Sequence, residues 1–157
     1  MTTIIAIDPG KSGGIAVLHQ NHVAAYPMPD TDGDLLELIK GISLEASRES
    51  AKVVCVLEQV GGFIGKAQPG AAMFRFGESY GFIKGLMMAL TIKLELVRPQ
   101  TWQKSFSLGT ASACASKTEW KNKLKAEAQR RFPSLGVTLK TADALLILEW
   151  YQRNFPH

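Results

Sequence analysis

Three acidic residues of this 157-residue chain stand in surroundings where a carboxylate is costly to bury. Asp8 ends the apolar run IIAID, Glu58 lies near the end of the apolar run VVCVLEQV, and Asp143 opens the apolar segment TADALLILEW. A buried carboxylate has to be paired or bound to a cation. If the three acids converge, their repulsion favours divalent cations, and an oxygen-only ligand set favours Mg²⁺ or Mn²⁺. Two such ions about 4 Å apart can clamp a phosphodiester for in-line attack by water.

Each acid also has a simpler explanation. The sequence Asp8-Pro9-Gly10 is typical of a turn, and Glu58 at a strand end can pair with a lysine. An Asp in the first turn of a helix, such as Asp143, is commonly a cap. Both explanations stay open for each residue alone, whereas three acids that each stand at the end of an element favour a metal site.

The hydrophobic pattern predicts the elements that position these acids. Strands are expected at 3–9, 13–20 and 23–28, with a tight turn at Asn21-His22, and again at 51–60 and from Lys93 to a stop at Pro99. Helices are expected at 31–47, about 72–90, 117–131 and 141–155. A glycine-rich loop follows Glu58.

This order of elements predicts one α/β domain, residues 1–157, around a mixed sheet flanked by helices. Ligands of such sheets gather outside the carboxyl ends of the strands. Asp8 and Glu58 would therefore face one site if their strands are neighbours. A helix docked at that edge of the sheet would bring Asp143 to the same point.

The charge pattern indicates a polyanionic partner. The net charge is +4, and residues 117–131 alone hold six Lys or Arg against two Glu. A concentrated basic patch suits nucleic acid, although a solvated helix face is the simpler explanation of a charge run. No apolar stretch reaches the length of a membrane span, and Cys55 and Cys114 lack metal-type spacing. We therefore expect an intracellular protein with no membrane partner.

Five segments together resemble those of RuvC-type Holliday junction resolvases. The stretches IIAIDPGKSGGIAVL, VVCVLEQV and TADALLILEW are similar to the three acidic motifs of that family, in the same order. FRFGESYGFIKGLM and LVRPQTWQKSF resemble the intervening helix and strand-plus-helix of its phage-type branch. The resemblance covers about residues 3–151.

This resemblance implies a ribonuclease H-like fold with a mixed five-stranded sheet. It implies a homodimeric, Mg²⁺-dependent crossover junction endodeoxyribonuclease that cuts two opposed strands of four-way DNA and leaves 5′-phosphate and 3′-hydroxyl ends. Asp8, Glu58 and Asp143 would be its metal-binding acids, with two Mg²⁺ or Mn²⁺ per active site. The resemblance also implies a location in a bacterium or in the cytoplasm of a bacterial host, and no nucleotide cofactor. The phage-type branch suggests genome debranching, by analogy only.

One position departs from the family pattern. Relatives of the bacterial type have a fourth acid three residues before the last one, where this chain has Lys140. Residues three apart share a helix face, so Lys140 would point where that acid points. The second metal would then be weakly held, or Lys140 would contact the scissile phosphate or orient the attacking water.

Phosphate contacts are expected mainly from the basic helix. Lys117, Lys121 and Lys125 are spaced to share one face, and Trp120 and Leu124 are expected to face inward. In the loop after Glu58, an aromatic ring can wedge into the junction centre or simply pack in the core or dimer. The expected DNA-binding residues are Phe63, Lys66, Lys104, Lys117, Lys121, Lys125 and Arg130.

Two other classes remain open. A non-catalytic junction-binding module would explain Lys140 in place of an acid, and it would bind junctions without cutting them. A phosphotransferase of the sugar-kinase and actin type also has a first strand ending in Asp and a glycine-rich turn. It would need two such lobes and would bind ATP.

Overall fold

The sheet places the carboxyl ends of its two central parallel strands side by side. The computed structural model describes residues 1–61 and 70–156. Its five strands have the order β3-β2-β1-β4-β5, with β1 antiparallel to β2 and parallel to β4. The strands are β1 Thr2–Asp8, β2 Gly14–His19, β3 His22–Pro27, β4 Lys52–Glu58 and β5 Lys93–Val97. The predicted mixed five-stranded sheet is confirmed.

Helices cover both faces of the sheet. They are α1 Asp32–Arg48, α2 Gly70–Ala89, α3 Pro99–Lys104, α4 Lys117–Arg131 and α5 Ala142–Asn154, with a 3-10 turn at Ala111–Ala113. None of the helices in the described residues is long and apolar enough to cross a membrane. The expected helices are confirmed to within about two residues at each end, which is the ordinary uncertainty of helix boundaries.

Alternating side chains of each strand feed two separate cores. The odd-numbered residues of β1, such as Ile5 and Ile7, pack under α1 and α2. The even-numbered Ile4 and Ala6 pack with Val54 and Val56 of β4 under α4 and α5. Successive strand residues point to opposite faces. The next even-numbered residue of each of these two strands therefore also points toward α4 and α5.

The hairpin between β2 and β3 turns one residue earlier than expected. Gln20 and Asn21 both have positive φ angles, 48° and 66°, while His22 already pairs with His19 in the sheet. Two central residues with positive φ are the signature of the type I′ hairpin turn. The predicted Asn21-His22 turn is therefore wrong by one residue.

Candidate active site

The pairing of β1 with β4 brings Asp8 and Glu58 together. Ile7 lies opposite Leu57 in this parallel ladder, so the next residue of each strand, Asp8 or Glu58, emerges at the same edge. Both acids continue the even-numbered rows that face α4 and α5. The expectation that their strands are neighbours is confirmed.

Asp143 reaches the same edge from α5. It is the second residue of that helix, and its side chain is only 5% exposed. The following residues from Ala144 to Leu148 are fully buried against the sheet and α4. A Cβ on Gly14, the residue paired with Asp8, would collide with the carbonyl of Lys140. Glycine therefore permits the start of α5 to lie directly against the strand ends.

The proximity of the three acids is visible in the pKa values of Asp8 and Glu58. Burial, the largest cause, and the charges of Asp143 and Glu58 together raise the pKa of Asp8 to about 8, against the opposing effect of Lys121. Burial, the largest cause, and the charge of Asp143 likewise raise the pKa of Glu58 to about 7. Raised carboxyl pKa values at one sheet edge are typical of a functional site.

Lys121 lies inside this group of acids rather than on an open face. Its ammonium donates a hydrogen bond to Oδ2 of Asp143 and forms an ion pair with it. Burial disfavours the charged ammonium, yet the net effect is a raised pKa for Lys121, because Asp143, Asp8 and Glu58 all stabilise its charge. Helical spacing placed Lys121 with Lys117 and Lys125 but did not reveal this partner.

Trp102 holds Glu58 from the other side. The indole Nε1–H donates a 2.8 Å hydrogen bond to Oε2 of Glu58, and the Trp102 side chain is fully buried. This bond favours the charged carboxylate and opposes the rise in the pKa of Glu58. The sequence analysis missed Trp102, since an isolated Trp after a strand has no distinguishing spacing.

The carboxylate oxygens of the three acids are the kind of ligand that a hard divalent cation prefers, but the side chains are not arranged around a single ion position. Oδ1 of Asp143 is buried and has no hydrogen-bond partner among the described residues, which leaves it free as a ligand. However, within residues 1–61 and 70–156 no group of three His, Cys, Asp or Glu side chains is placed to hold an ion. Instead of an ion, the ammonium of Lys121 contacts the carboxylate of Asp143.

A cavity of about 690 Å³ opens beside Glu58. Lys117 of α4 and Arg98, which directly follows β5, both line it. Two cations beside a carboxylate site suit a phosphate backbone. The sequence analysis missed Arg98, although its position after β5 at the same sheet edge as Glu58 was a usable signal.

The other expected DNA-binding residues are dispersed. Lys104 is exposed at the end of α3. Lys125 lines a separate depression of about 570 Å³, and Arg130 pairs with Glu127 through two hydrogen bonds. Phe63 and Lys66 lie outside the described residues. The DNA-binding role of each of these stays a prediction, whereas the inward position of Trp120 and Leu124 is confirmed.

Lys140 does not share a helix face with Asp143. Helix α5 begins at Ala142 with Thr141 as its N-cap, so Lys140 lies in the preceding turn and is exposed. It lines the same depression as Lys125. The expected i, i+3 relation is wrong because the helix starts two residues later than that relation requires.

Comparison with solved structures identifies the class of fold. No family model and no curated protein matches the sequence. The structure of Thermus thermophilus RuvC in complex with a Holliday junction substrate matches with a TM-score of 0.58 and 13% identity, over 99% of this chain and 97% of that one. A second T. thermophilus RuvC structure matches with a TM-score of 0.55 and 16% identity, over 98% and 96% of the two chains.

The chain therefore has a ribonuclease H-like α/β fold. More particularly, it is the fold of RuvC, spanning nearly the full length of both chains. The predicted fold class is confirmed, and so is the resemblance to RuvC-type resolvases at the level of the fold. The phage-type branch stays a prediction.

We expect Trp102→Phe to disturb Glu58 specifically. Loss of the indole hydrogen bond removes a contact that favours the charged carboxylate, so the pKa of Glu58 should rise further. The free energy of unfolding should fall by about 1 kcal/mol. Titration of Glu58 by NMR in the metal-free protein measures the change, and Trp150→Phe, a substitution in the last turns of α5, is the control. A pKa of Glu58 that is unchanged in Trp102→Phe would contradict this assignment.

A second expectation concerns the stability of the metal-free protein. The pKa of Asp8 lies above its ordinary value of 3.8, so the folded state binds more protons than the unfolded state from about pH 4 to pH 8. Stability should fall as the pH rises through this window. Asp8→Asn should raise the free energy of unfolding at pH 8 by about 5 kcal/mol and change it little at pH 4. Urea unfolding at the two pH values tests this, and an equal effect at both would contradict it.

Proposed function

We propose that this chain is a divalent-metal-dependent endonuclease that resolves four-way DNA junctions by paired strand incision. The main support is the convergence of Asp8, Glu58 and Asp143 at one sheet edge, beside a cavity lined by Lys117 and Arg98. The fold supports the same function, since a RuvC of this fold was solved with a Holliday junction substrate. The products would have 5′-phosphate and 3′-hydroxyl ends.

In this proposal the three acids hold Mg²⁺ or Mn²⁺, with two ions per site. When bound, the ions supply charge stabilisation to a phosphodiester under in-line attack by water. Trp102 orients the Glu58 carboxylate through its hydrogen bond. Lys117 and Arg98 bind the phosphates of the strand that enters the cavity. The exposed Lys140, in the turn before α5, contacts the DNA backbone from the depression that it shares with Lys125.

We also propose that the protein acts as a homodimer, because paired incisions need two sites at a fixed separation. Helix α2 offers a surface for a second copy. Its exposed side includes Phe74 and Met88, which are 68% and 77% exposed. Gly77, Gly81 and Gly85 follow one another at four-residue spacing, and a Cβ on any of them would meet nothing within 4 Å. Small residues in such a row let two helices approach closely, and the large apolar side chains beside them would be buried.

The proposed metal-dependent cleavage can be tested with a labelled junction. Purified protein should cut a junction labelled on each strand at symmetric positions when Mg²⁺ or Mn²⁺ is added. Asp8→Asn should slow cutting by about 10³-fold and change the junction Kd by less than about threefold. Asp32→Asn, an exposed Asp in the first turn of α1, is the matched control and should cut normally.

Tight junction binding without cutting, under either metal and across several junction sequences, would contradict the nuclease. It would favour a non-catalytic junction-binding module, for which Lys140 and the Lys121–Asp143 ion pair are the supporting features.

The dimer proposal predicts that Gly81→Glu is a monomer in sedimentation equilibrium, because a charged side chain would separate the two α2 helices. Gly41→Glu in α1 is the matched control, since its Cβ also meets nothing within 4 Å, and it should remain a dimer like the wild type. A dimeric Gly81→Glu or a monomeric wild type would exclude this interface.

A further inference from the structure

The ammonium of Lys121 lies where a bound cation would act on the acids. It forms an ion pair with Asp143 and also stabilises the charges of Asp8 and Glu58. When all three carboxylates are ionised, they and the one ammonium leave two negative charges. The site is therefore partly neutralised by the chain itself. A divalent cation that uses both oxygens of Asp143 must compete with Lys121 for Oδ2.

The two members of this ion pair differ in how easily they can move. Asp143 is held in the first turn of α5, and its side chain is 5% exposed. The Lys121 side chain is 36% exposed and has a flexible four-carbon stem. Separation of the pair would therefore occur by movement of Lys121, with little change at Asp143.

A new partner for Lys121 is available within one helical turn. Lys117 precedes it by four residues on α4, and residues at this spacing are neighbours on the helix surface. Lys117 lines the cavity beside Glu58. A DNA phosphate bound by Lys117 in that cavity would be close enough to accept a hydrogen bond from the ammonium of Lys121.

We propose that Lys121 is a counterion that occupies the acidic site in the absence of DNA, and that a DNA phosphate draws it away from Asp143. Its departure exposes Oδ2 for a divalent cation, so DNA and the cation bind cooperatively. The proposal rests on the proposed function, and it assigns Lys121 a positioning role through Asp143. Its consequence is that the full metal site forms only where a phosphate is already in place.

Mn²⁺ binding to the full chain, measured by EPR of the free ion, tests this without reference to cleavage. Without DNA, Lys121→Gln and Lys121→Met should each bind Mn²⁺ about tenfold more tightly than the wild type, because the competing charge is gone. Lys123→Gln is the matched control on the same helix, where the ammonium lies 3.6 Å from Glu119. Its Mn²⁺ affinity should equal that of the wild type. Thermal unfolding verifies that each variant is folded.

A saturating four-way junction should then tighten Mn²⁺ binding to the wild type about tenfold and to Lys121→Gln much less, since coupling between two ligands is reciprocal. A titration of DNA alone subtracts the ions held by its arms. If both Lys121 variants bind Mn²⁺ no more tightly than a wild type that binds the ion and cuts junctions, the proposal is overturned and the nuclease stands. An equal gain in Lys123→Gln would also overturn it. If no form binds Mn²⁺, the metal-dependent nuclease fails and this proposal fails with it.

Discussion

The mutual repulsion of one buried carboxylate, Asp143, and two half-buried ones, Asp8 and Glu58, is the constraint around which this structure is organised. Parallel pairing of β1 with β4 fixes Asp8 beside Glu58, and docking of α5 adds Asp143. Burial and like charge together raise the pKa of Asp8 to about 8 and that of Glu58 to about 7. Lys121 relieves part of this repulsion. In the proposed function, the remaining negative charge is what attracts the divalent cations.

The rest of the fold holds these acids in place against their repulsion. Apolar rows of β1 and β4 pack under α4 and α5, and the fully buried residues of α5 fix the position of its first turn. Gly14 allows the turn that precedes α5, at Lys140, to touch the strand ends. Trp102 anchors Glu58 from α3. The site is locally unfavourable, and the two cores on either side of the sheet supply the stability that it lacks.

Much of the fold follows from local pattern. Runs such as VVCVL and ALLIL are too apolar to lie anywhere but in a core, and the acids that end or open them mark the sheet edge. Tertiary contacts were harder to predict. The spacing of Lys121 with Lys117 and Lys125 defines a shared helix face, but it does not tell which neighbour that face meets. The positions of Trp102 and Arg98 at the site depend on where α3 docks, which local pattern does not show. The position of Lys140 was predicted wrongly because the start of α5 depends on the turn before Thr141.

The central claim is that these three acids form one metal site, and anomalous diffraction from crystals of the full chain with Mn²⁺ tests it most directly. The account predicts anomalous density about 2.0–2.3 Å from carboxylate oxygens of Asp8, Glu58 and Asp143, with the Lys121 ammonium displaced from Asp143 once DNA is present. Mn²⁺ density elsewhere, with Asp143 still bound only to Lys121 in the DNA complex, would contradict it.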